Sequence, residues 1–285
     1  MFLADYHVHS SCSFDAADRM AAMARAELKM GVAEICFTDH ADFGDQQTIQ
    51  LRPERFQLPK SQVKQFIEAM EKAPEGIDIK LGLELGEGNH DPARAKRVYA
   101  MPEYDFILGS LHNLRDEQDF YYIKYDSYDQ CWELYDRYLD ELIELAGINC
   151  FDCMAHIGYC LRYMHRQGFD AEITMERYGG KLDTLLRMLI ENGKGIELNV
   201  ADLVPGGHDA PGEHAEPLLK PVPSIEILRR YRELGGDIIT VGSDAHSVKA
   251  AGVGLREGYQ LLSDIGFRYV AVYKRHKPEF KRIEV

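Results

Sequence analysis

Six of the eleven histidines in this sequence stand in short motifs, several of which also carry an acidic residue. Neutral imidazole nitrogens and carboxylate oxygens are the groups that bind zinc, manganese and iron in proteins. Residues two apart on a strand point to the same face, so the imidazoles of a His-x-His pair would project together. The motifs are Asp5-Tyr6-His7-Val8-His9, Thr38-Asp39-His40, Gly82-Leu83-Glu84, Gly109-Ser110-Leu111-His112, Ala155-His156 and Gly242-Ser243-Asp244-Ala245-His246.

Each of these motifs lies in or just after an apolar, β-rich run. Apolar residues at three-to-four spacing indicate helices between several of the runs. Strands that alternate with helices indicate a parallel sheet, and seven or eight such units without a linker predict a closed α/β barrel, one domain over residues 1–285. The predicted strands are 2–8, 32–38, 77–85, 104–111, 151–157, 195–200, 238–242 and 267–273, and the predicted helices are 16–30, 128–146, 181–192 and 224–234.

The barrel would bring the six histidines together. The carboxyl ends of parallel strands share one rim, which is where barrel enzymes place their active sites. A cluster of imidazoles at that rim is best explained by a metal that organises it. Four longer segments, 41–59, 86–102, 113–127 and 201–223, read as irregular loops that follow strands, so they are expected on the same rim.

The order of these motifs resembles the PHP (polymerase and histidinol phosphatase) superfamily over residues 5–246. The resemblance implies a distorted, TIM-like (β/α)7 barrel that holds two to three divalent metal ions, with zinc, manganese and iron all compatible. Asp15 stands where many relatives have histidine, and a carboxylate is also a competent ligand. The implied ligand sets are His7, His9, Glu84 and Asp244 for one metal, Glu84, His112 and His156 for a second, and Asp15, His40 and His246 for a third.

Three segments are similar to the histidinol-phosphate phosphatase branch of that superfamily. They are the opening 5–15, the His-Ile stretch 156–163 that ends in Arg-Tyr, and the strand 195–199. The resemblance implies hydrolysis of L-histidinol phosphate in histidine biosynthesis. Gly158 departs from the aspartate that the family carries after His-Ile, and 201–223 is longer than expected. The open alternatives are a nucleotide or sugar phosphate, a phosphotyrosine substrate, or a non-catalytic metal-stabilised module.

The expected reaction is attack of a metal-bridging hydroxide on phosphorus without a covalent phospho-enzyme. Glu84 would act as the bridging ligand, and Asp244, His246 or water would protonate the leaving group. Arg162 is the candidate for phosphate binding, because its planar fork matches phosphate, with an ordinary surface arginine as the alternative. Asn199 is a second candidate for substrate binding. An acidic rim that includes Asp42 or Glu87 would attract a cationic amine.

Other polar residues receive supporting or structural interpretations. Asp5 is expected to accept the second ring N–H of His7. Asp39 would either support a ligand in the same way or cap the loop that follows its strand. Cys150 and Cys153 form a C-x-x-C, interpreted as buried inert thiols rather than a redox or metal pair. Structural or solvated side chains are expected for the five histidines without a motif, His90, His165, His208, His214 and His276.

The composition limits the classes of partner. The chain has 33 Lys and Arg against 47 Asp and Glu, a net charge of −14, which would repel a nucleic-acid backbone and disfavours polymerase proofreading. No signal sequence and no apolar run of the ~20 residues needed to cross a bilayer is recognised. A cytoplasmic protein with reduced cysteines is predicted. Without a heptad repeat or an apolar stripe, a monomer or weak homo-oligomer is expected.

Overall fold

A computed structural model describes residues 1–43, 56–207 and 218–285 of the chain. The strands are β1 (Ala4–Val8), β2 (Glu34–Phe37), β3 (His40–Asp42), β4 (Asp78–Gly86), β5 (Phe106–Ser110), β6 (Cys153–Met154), β7 (Gly195–Asn199), β8 (Ile239–Gly242), β9 (Tyr269–Lys274) and β10 (Lys277–Arg282). The helices are α1 (Met20–Met30), α2 (Gln62–Lys72), α3 (Pro92–Tyr99), α4 (Tyr128–Ile148), α5 (Tyr159–Arg166), α6 (Met175–Glu191), α7 (Ile225–Glu233) and α8 (Leu255–Ile265).

Seven parallel strands form a nearly closed barrel in the order β1-β2-β4-β5-β6-β7-β8. The short β3 extends the sheet beside the far end of β4, where His40 pairs with Glu84. The end of β1 meets the residues that follow β8, because Val8 bridges to Ala245 and the amide of Asp244 donates to the carbonyl of His7 at 2.8 Å. The predicted distorted (β/α)7 barrel is confirmed.

The strands are buried on both faces, as expected for a parallel sheet covered by helices. β5 and β7 are buried at every position, and the helices pack their apolar faces outside them. The helix ends carry local signals. Ser127 accepts a hydrogen bond from the amide of Gln130 at the start of α4, and Asn149 ends that helix in a left-handed conformation.

The eighth predicted strand does not join the barrel. β9 pairs in antiparallel fashion with β10, and this hairpin covers the amino-terminal end of the barrel. Tyr273 packs there on Phe106, and its backbone amide donates to the hydroxyl of Tyr6. With that end sealed, the opposite end is the one that can bind a ligand.

Helix α1 begins at Met20 rather than at residue 16, and β6 covers only Cys153–Met154 of the strand predicted over 151–157. Two other expectations also need correction. Residues 86–102 are not wholly irregular, because Asp91 caps α3 and Pro92 occupies its first turn. Helix α6 begins at Met175 rather than at residue 181, since Thr174 caps it and the buried Tyr178 and Leu182 outweigh the helix-weakening glycines at 179 and 180. The interpretations of 41–59 and 201–223 lie partly outside the described residues.

Candidate active site

The structure brings all nine predicted ligands to the carboxyl end of the barrel. His7 lies on β1 and Glu84 on β4, and most of the others follow the ends of strands. Seven of the nine are buried, and Asp15 and His40 are partly exposed at the opening. The nine are His7, His9, Asp15, His40, Glu84, His112, His156, Asp244 and His246.

Glu84 lies at the centre of the cluster. Its Oε1 is 3.0 Å from Nε2 of His112 and 3.0 Å from Nε2 of His156. Its Oε2 is 3.3 Å from Nε2 of His7 and 3.1 Å from Nδ1 of His40. The two oxygens therefore face different sets of imidazoles, as a bridging carboxylate would.

Two aspartates complete the cluster. Oδ1 of Asp244 lies 3.4 Å from Nε2 of His7 and 3.3 Å from Nε2 of His9. Oδ2 of Asp15 lies 3.4 Å from Nε2 of His40 and 3.2 Å from Nε2 of His246. Asp244 thus faces both histidines of the first implied set, and Asp15 faces both histidines of the third, while His9 and His40 each lie within reach of two groups.

The hydrogen bonds around His7 and His9 show that this site fits a cation. Nδ1 of His7 faces the carboxylate of Glu197 at 2.7 Å, so it carries the proton that is donated there. Nδ1 of His9 donates to Oγ of Ser13, whose own hydroxyl donates to Asp39. Both Nε2 atoms then present lone pairs, only 3.1 Å apart. That contact is repulsive unless a positive charge lies between them.

Metal binding needs neutral imidazoles and ionised carboxylates, and the carboxylates of the cluster meet their condition. Burial opposes protonation of His7, His40 and His112, but the neighbouring carboxylates outweigh it and raise the pKa of these rings, so a bound metal would take the place of protons there. Burial and the neighbouring imidazoles of His246 and His40 lower the pKa of His9 to about 3. Burial opposes ionisation of Glu84, but His7 and His40 outweigh it and hold that carboxyl pKa well below its usual range. The pKa of the Asp244 carboxyl is held low in the same way, with His7 the largest favourable influence.

Strained backbone positions two of these residues. His156 has a φ of 22° and Asp244 a φ of 56°, both in the left-handed region that such residues rarely adopt. Strain of this kind concentrates at functional sites. Gly158 follows with a φ of 116° at the start of α5, which explains glycine at this position.

Glu197, in the strand 195–199 that resembles the histidinol-phosphate phosphatase branch, is a supporting residue whose role was not predicted. Besides facing His7, its Oε2 accepts a hydrogen bond from the backbone amide of His156 at 2.7 Å. The prediction that Asp5 accepts the ring N–H of His7 is wrong, because Nδ1 points to Glu197. Asp5 instead accepts the backbone amides of His7 and Ser243. A carboxylate inside an otherwise apolar strand was the available signal for Glu197.

Asp39 and Glu87 also support ligand histidines through hydrogen bonds. Asp39 caps the loop after β1 by accepting hydrogen bonds from Ser10 and Ser13, and through Ser13 it reaches His9. Glu87 is only 1% exposed, so it does not lie on an open acidic rim. Its Oε1 accepts the amide of His112 at 2.7 Å and lies 3.5 Å from the Nδ1 of that ring. Oδ1 of Asp42 lies 3.8 Å from the same Nδ1.

Arg162 reaches the cluster from α5. Its side chain is buried, so the alternative of a surface arginine is wrong. Nη1 lies 3.5 Å from Oδ2 of Asp244, and Nη2 lies 3.5 Å from Oδ1 of Asn199. Asn199 donates to the same oxygen of Asp244 at 3.2 Å. Both residues predicted to bind substrate therefore border the cluster.

Comparison with known proteins agrees with the geometry. The sequence pattern of the PHP domain matches residues 5–201. The chain belongs to the PHP domain family. This PHP protein is 25% identical over 269 residues to a protein of Thermotoga maritima named "Probable histidinol-phosphatase", which covers 94% of each chain. It is 25% identical over 280 residues to the histidinol-phosphatase of Lactococcus lactis, over 96% of this chain and 95% of the relative.

A solved structure shares the fold of this PHP protein. It is the histidinol phosphate phosphatase of Lactococcus lactis, complexed with zinc, L-histidinol and phosphate. The TM-score is 0.74 at 23% identity, and the match covers 97% of this chain and 98% of that one.

The remaining residues of interest in this PHP protein lie away from the cluster. His90 pairs with Glu141 at 3.1 Å and His276 pairs with Asp152 at 2.8 Å, so both histidines have the structural role that was expected. His165 lies 3.8 Å from Asp170, and His208 and His214 lie outside the described residues. All six cysteines are free thiols, and burial raises the pKa of Cys150 and of Cys153 to about 12.

The thiols of Cys150 and Cys153 are thus protonated and inert, as predicted.

Among the described residues, no helix is both long enough and apolar enough to span a membrane.

Proposed function

We propose that this PHP protein is a metal-dependent phosphomonoesterase that hydrolyses L-histidinol phosphate to L-histidinol and phosphate. The observation that carries the proposal is the convergence of six imidazoles and two aspartates around Glu84, with the Nε2 lone pairs of His7 and His9 facing each other as if across a cation. Two full-length relatives named histidinol-phosphatase, and the neighbour that holds zinc, L-histidinol and phosphate, support the choice of substrate.

Divalent metals are the cofactors, and two to three of them fit the proposed sets. His7, His9, Glu84 and Asp244 would hold one metal, Glu84, His112 and His156 a second, and Asp15, His40 and His246 a third. Zinc, manganese and iron all suit these ligands. Bound there, such metals would neutralise phosphoryl oxygens and make water a better nucleophile.

The other residues of the site bind and orient the substrate. Arg162 would donate from its terminal nitrogens to the phosphoryl oxygens, in a buried setting where charge-assisted hydrogen bonds are strong. Asn199 would fix the position of Asp244 relative to the guanidinium of Arg162 by contacting both. The leaving alkoxide needs a proton, and we assign this role to His246 or to water, because the low carboxyl pKa keeps Asp244, the third candidate, ionised.

The biological setting follows the same proposal. A small phosphomonoester substrate, the acidic net charge of −14 and six free thiols are consistent with a cytoplasmic enzyme that does not bind nucleic acid. We propose a monomer or weak homo-oligomer, and sedimentation at micromolar concentration tests this directly.

The experiment is release of phosphate from L-histidinol phosphate by protein loaded with manganese or zinc. The expected result is turnover by the loaded wild type and its loss in both the metal-free protein and Glu84→Gln. Asp183→Asn is the matched control, because Asp183 pairs with Arg230 between α6 and α7 outside the barrel. Equal phosphate release with and without metal would contradict the proposal.

A further inference from the structure

Asp202 is a buried carboxylate that the sequence motifs do not explain. It lies three positions after β7 and is 1% exposed. Its Oδ2 accepts a hydrogen bond from Nε of Arg162 at 2.5 Å, and Arg162 is 2% exposed. A buried arginine and aspartate at this distance form a charge-assisted pair in which each partner compensates the desolvation of the other.

The two ends of the guanidinium are held very differently. Nε makes the short contact to Asp202, whereas Nη1 and Nη2 lie 3.5 Å from Asp244 and Asn199, at the limit of a hydrogen bond. The terminal nitrogens thus face the metal-binding side, and their contacts there are weak. Because Nη1 and Nη2 make only these weak contacts, their parallel N–H groups can bind two oxygens of a phosphoryl group.

The charges around Arg162 give Asp202 a second effect. Asp244, one of the proposed metal ligands, is the other carboxylate near this guanidinium. If Asp202 did not hold Nε, the guanidinium would be drawn toward Oδ2 of Asp244, and its terminal N–H groups would be less available to a phosphoryl group. The ring of Tyr159 lies 5.8 Å from the guanidinium carbon and limits its movement on another side.

We propose that Asp202 is a positioning residue, which fixes Arg162 through Nε so that its terminal N–H groups bind the phosphoryl group of the substrate. The inference rests on the proposed function, in that it needs a phosphomonoester at the metal cluster. It does not depend on which alcohol the phosphate is attached to. Asp202 itself touches neither the substrate nor a metal in this arrangement.

The test is a double-mutant cycle with Asp202→Asn, Arg162→Met and the double variant. KM and kcat are measured with p-nitrophenyl phosphate and L-histidinol phosphate, together with the inhibition constant of inorganic phosphate. We expect Asp202→Asn to raise KM and the phosphate inhibition constant about 10-fold, roughly 1.4 kcal/mol, while kcat changes less than about threefold. In the Arg162→Met background, the same substitution should change KM less than about twofold.

A merely structural role gives a different pattern. Asp202→Asn would then lower kcat and metal content together, and its effect would be as large without Arg162 as with it. Either that result, or an unchanged KM in Asp202→Asn, overturns the inference. Asp183→Asn removes one partner of an Arg–Asp pair outside the barrel and is the matched control.

Folding is checked by melting temperature and by bound zinc. The double variant removes both buried charges and should fold at least as well as either single variant, because it leaves no unpaired charge. If Asp202→Asn alone does not fold, Asp202→Glu replaces it. Glutamate keeps the charge but displaces the acceptor by one methylene, so KM should again rise only when Arg162 is present.

The result is separable from the choice of substrate. If L-histidinol phosphate is not preferred but p-nitrophenyl phosphate is hydrolysed, the substrate proposal fails. The double-mutant cycle can then still be measured from the KM for p-nitrophenyl phosphate. If no phosphomonoester is hydrolysed, calorimetric binding of inorganic phosphate to the zinc-loaded variants replaces KM. Loss of phosphate affinity in Asp202→Asn would then support the inference, and unchanged affinity would overturn it.

Discussion

Nδ1 of His7 lies 2.7 Å from Oε1 of Glu197, although 190 positions separate the two residues in the sequence. The contact fixes the tautomer of His7, so that its Nε2 lone pair points into the cluster. The other carboxylate oxygen of Glu197 holds the amide of His156. One carboxylate therefore orients residues of two proposed metal sites.

Replacement of this carboxylate should weaken metal binding. We expect Glu197→Gln to lower zinc affinity about 10–100-fold, as is typical when the partner of a metal-binding histidine is changed. Competition with a chromophoric chelator measures the affinity. Asp183→Asn should leave it unchanged. Wild-type zinc affinity in Glu197→Gln would show that the contact does not orient His7.

Loss of the central carboxylate should have a larger effect. Glu84→Gln keeps the size of the side chain but removes the charge that faces His7, His112 and His156. We expect at least one metal to be lost and kcat/KM to fall by about 10³-fold or more, roughly 4 kcal/mol of transition-state stabilisation. Elemental analysis and steady-state kinetics measure these effects. Full metal content in this variant would contradict a bridging role.

Removal of metal should also destabilise the fold. The nine clustered side chains are mostly buried, and without a cation the facing Nε2 lone pairs of His7 and His9 repel each other. A metal that binds only the folded state, supplied at 100 times its Kd, stabilises that state by about 2.7 kcal/mol. We therefore expect dialysis against a chelator to lower the melting temperature and zinc or manganese to restore it. Identical melting of both forms would show that the cluster does not bind metal tightly.

A pH dependence of stability is expected from Glu27, which is buried on α1. Burial, followed by the nearby charge of Asp5, raises the pKa of Glu27 well above its ordinary 4.5. Above that ordinary value the unfolded chain loses the proton that the folded chain keeps. Folding is then disfavoured by about 1.4 kcal/mol per pH unit until the folded pKa is reached.

Glu27→Gln is neutral in both states and removes this cost. The variant should therefore melt at a higher temperature than wild type at pH 8, and the difference should shrink toward pH 5. Calorimetry across this range measures it. A difference that is constant with pH would mean that Glu27 is ionised in the folded protein.

The sequence was informative where local pattern and function coincide. The histidine motifs stand at the ends of apolar strands, and the rule that parallel strands share one rim was enough to bring His7, Glu84 and His246 together. The barrel followed from the same alternation of strands and helices. Both expectations depend on spacing along the chain, which a single sequence displays directly.

Contacts between distant segments were harder to predict. Nothing local to 195–199 shows that Glu197 faces His7, and nothing near Arg162 reveals its pairing with Asp202. The run 267–273 has the apolar pattern of a barrel strand, yet it pairs with β10, because periodicity reports burial and not the identity of the partner strand. The segment 86–102 reads as a loop because it contains glycine, asparagine and proline, although Asp91 and Pro92 start a helix there.

The central claim is tested most directly by kcat/KM of the manganese-loaded protein on L-histidinol phosphate, compared with p-nitrophenyl phosphate, nucleotide monophosphates and a phosphotyrosine peptide. The account predicts a preference of about 100-fold or more for L-histidinol phosphate, roughly 2.7 kcal/mol of differential transition-state binding. Equal and low kcat/KM across the panel would contradict the substrate assignment, and no turnover with any metal would contradict the enzymatic function itself.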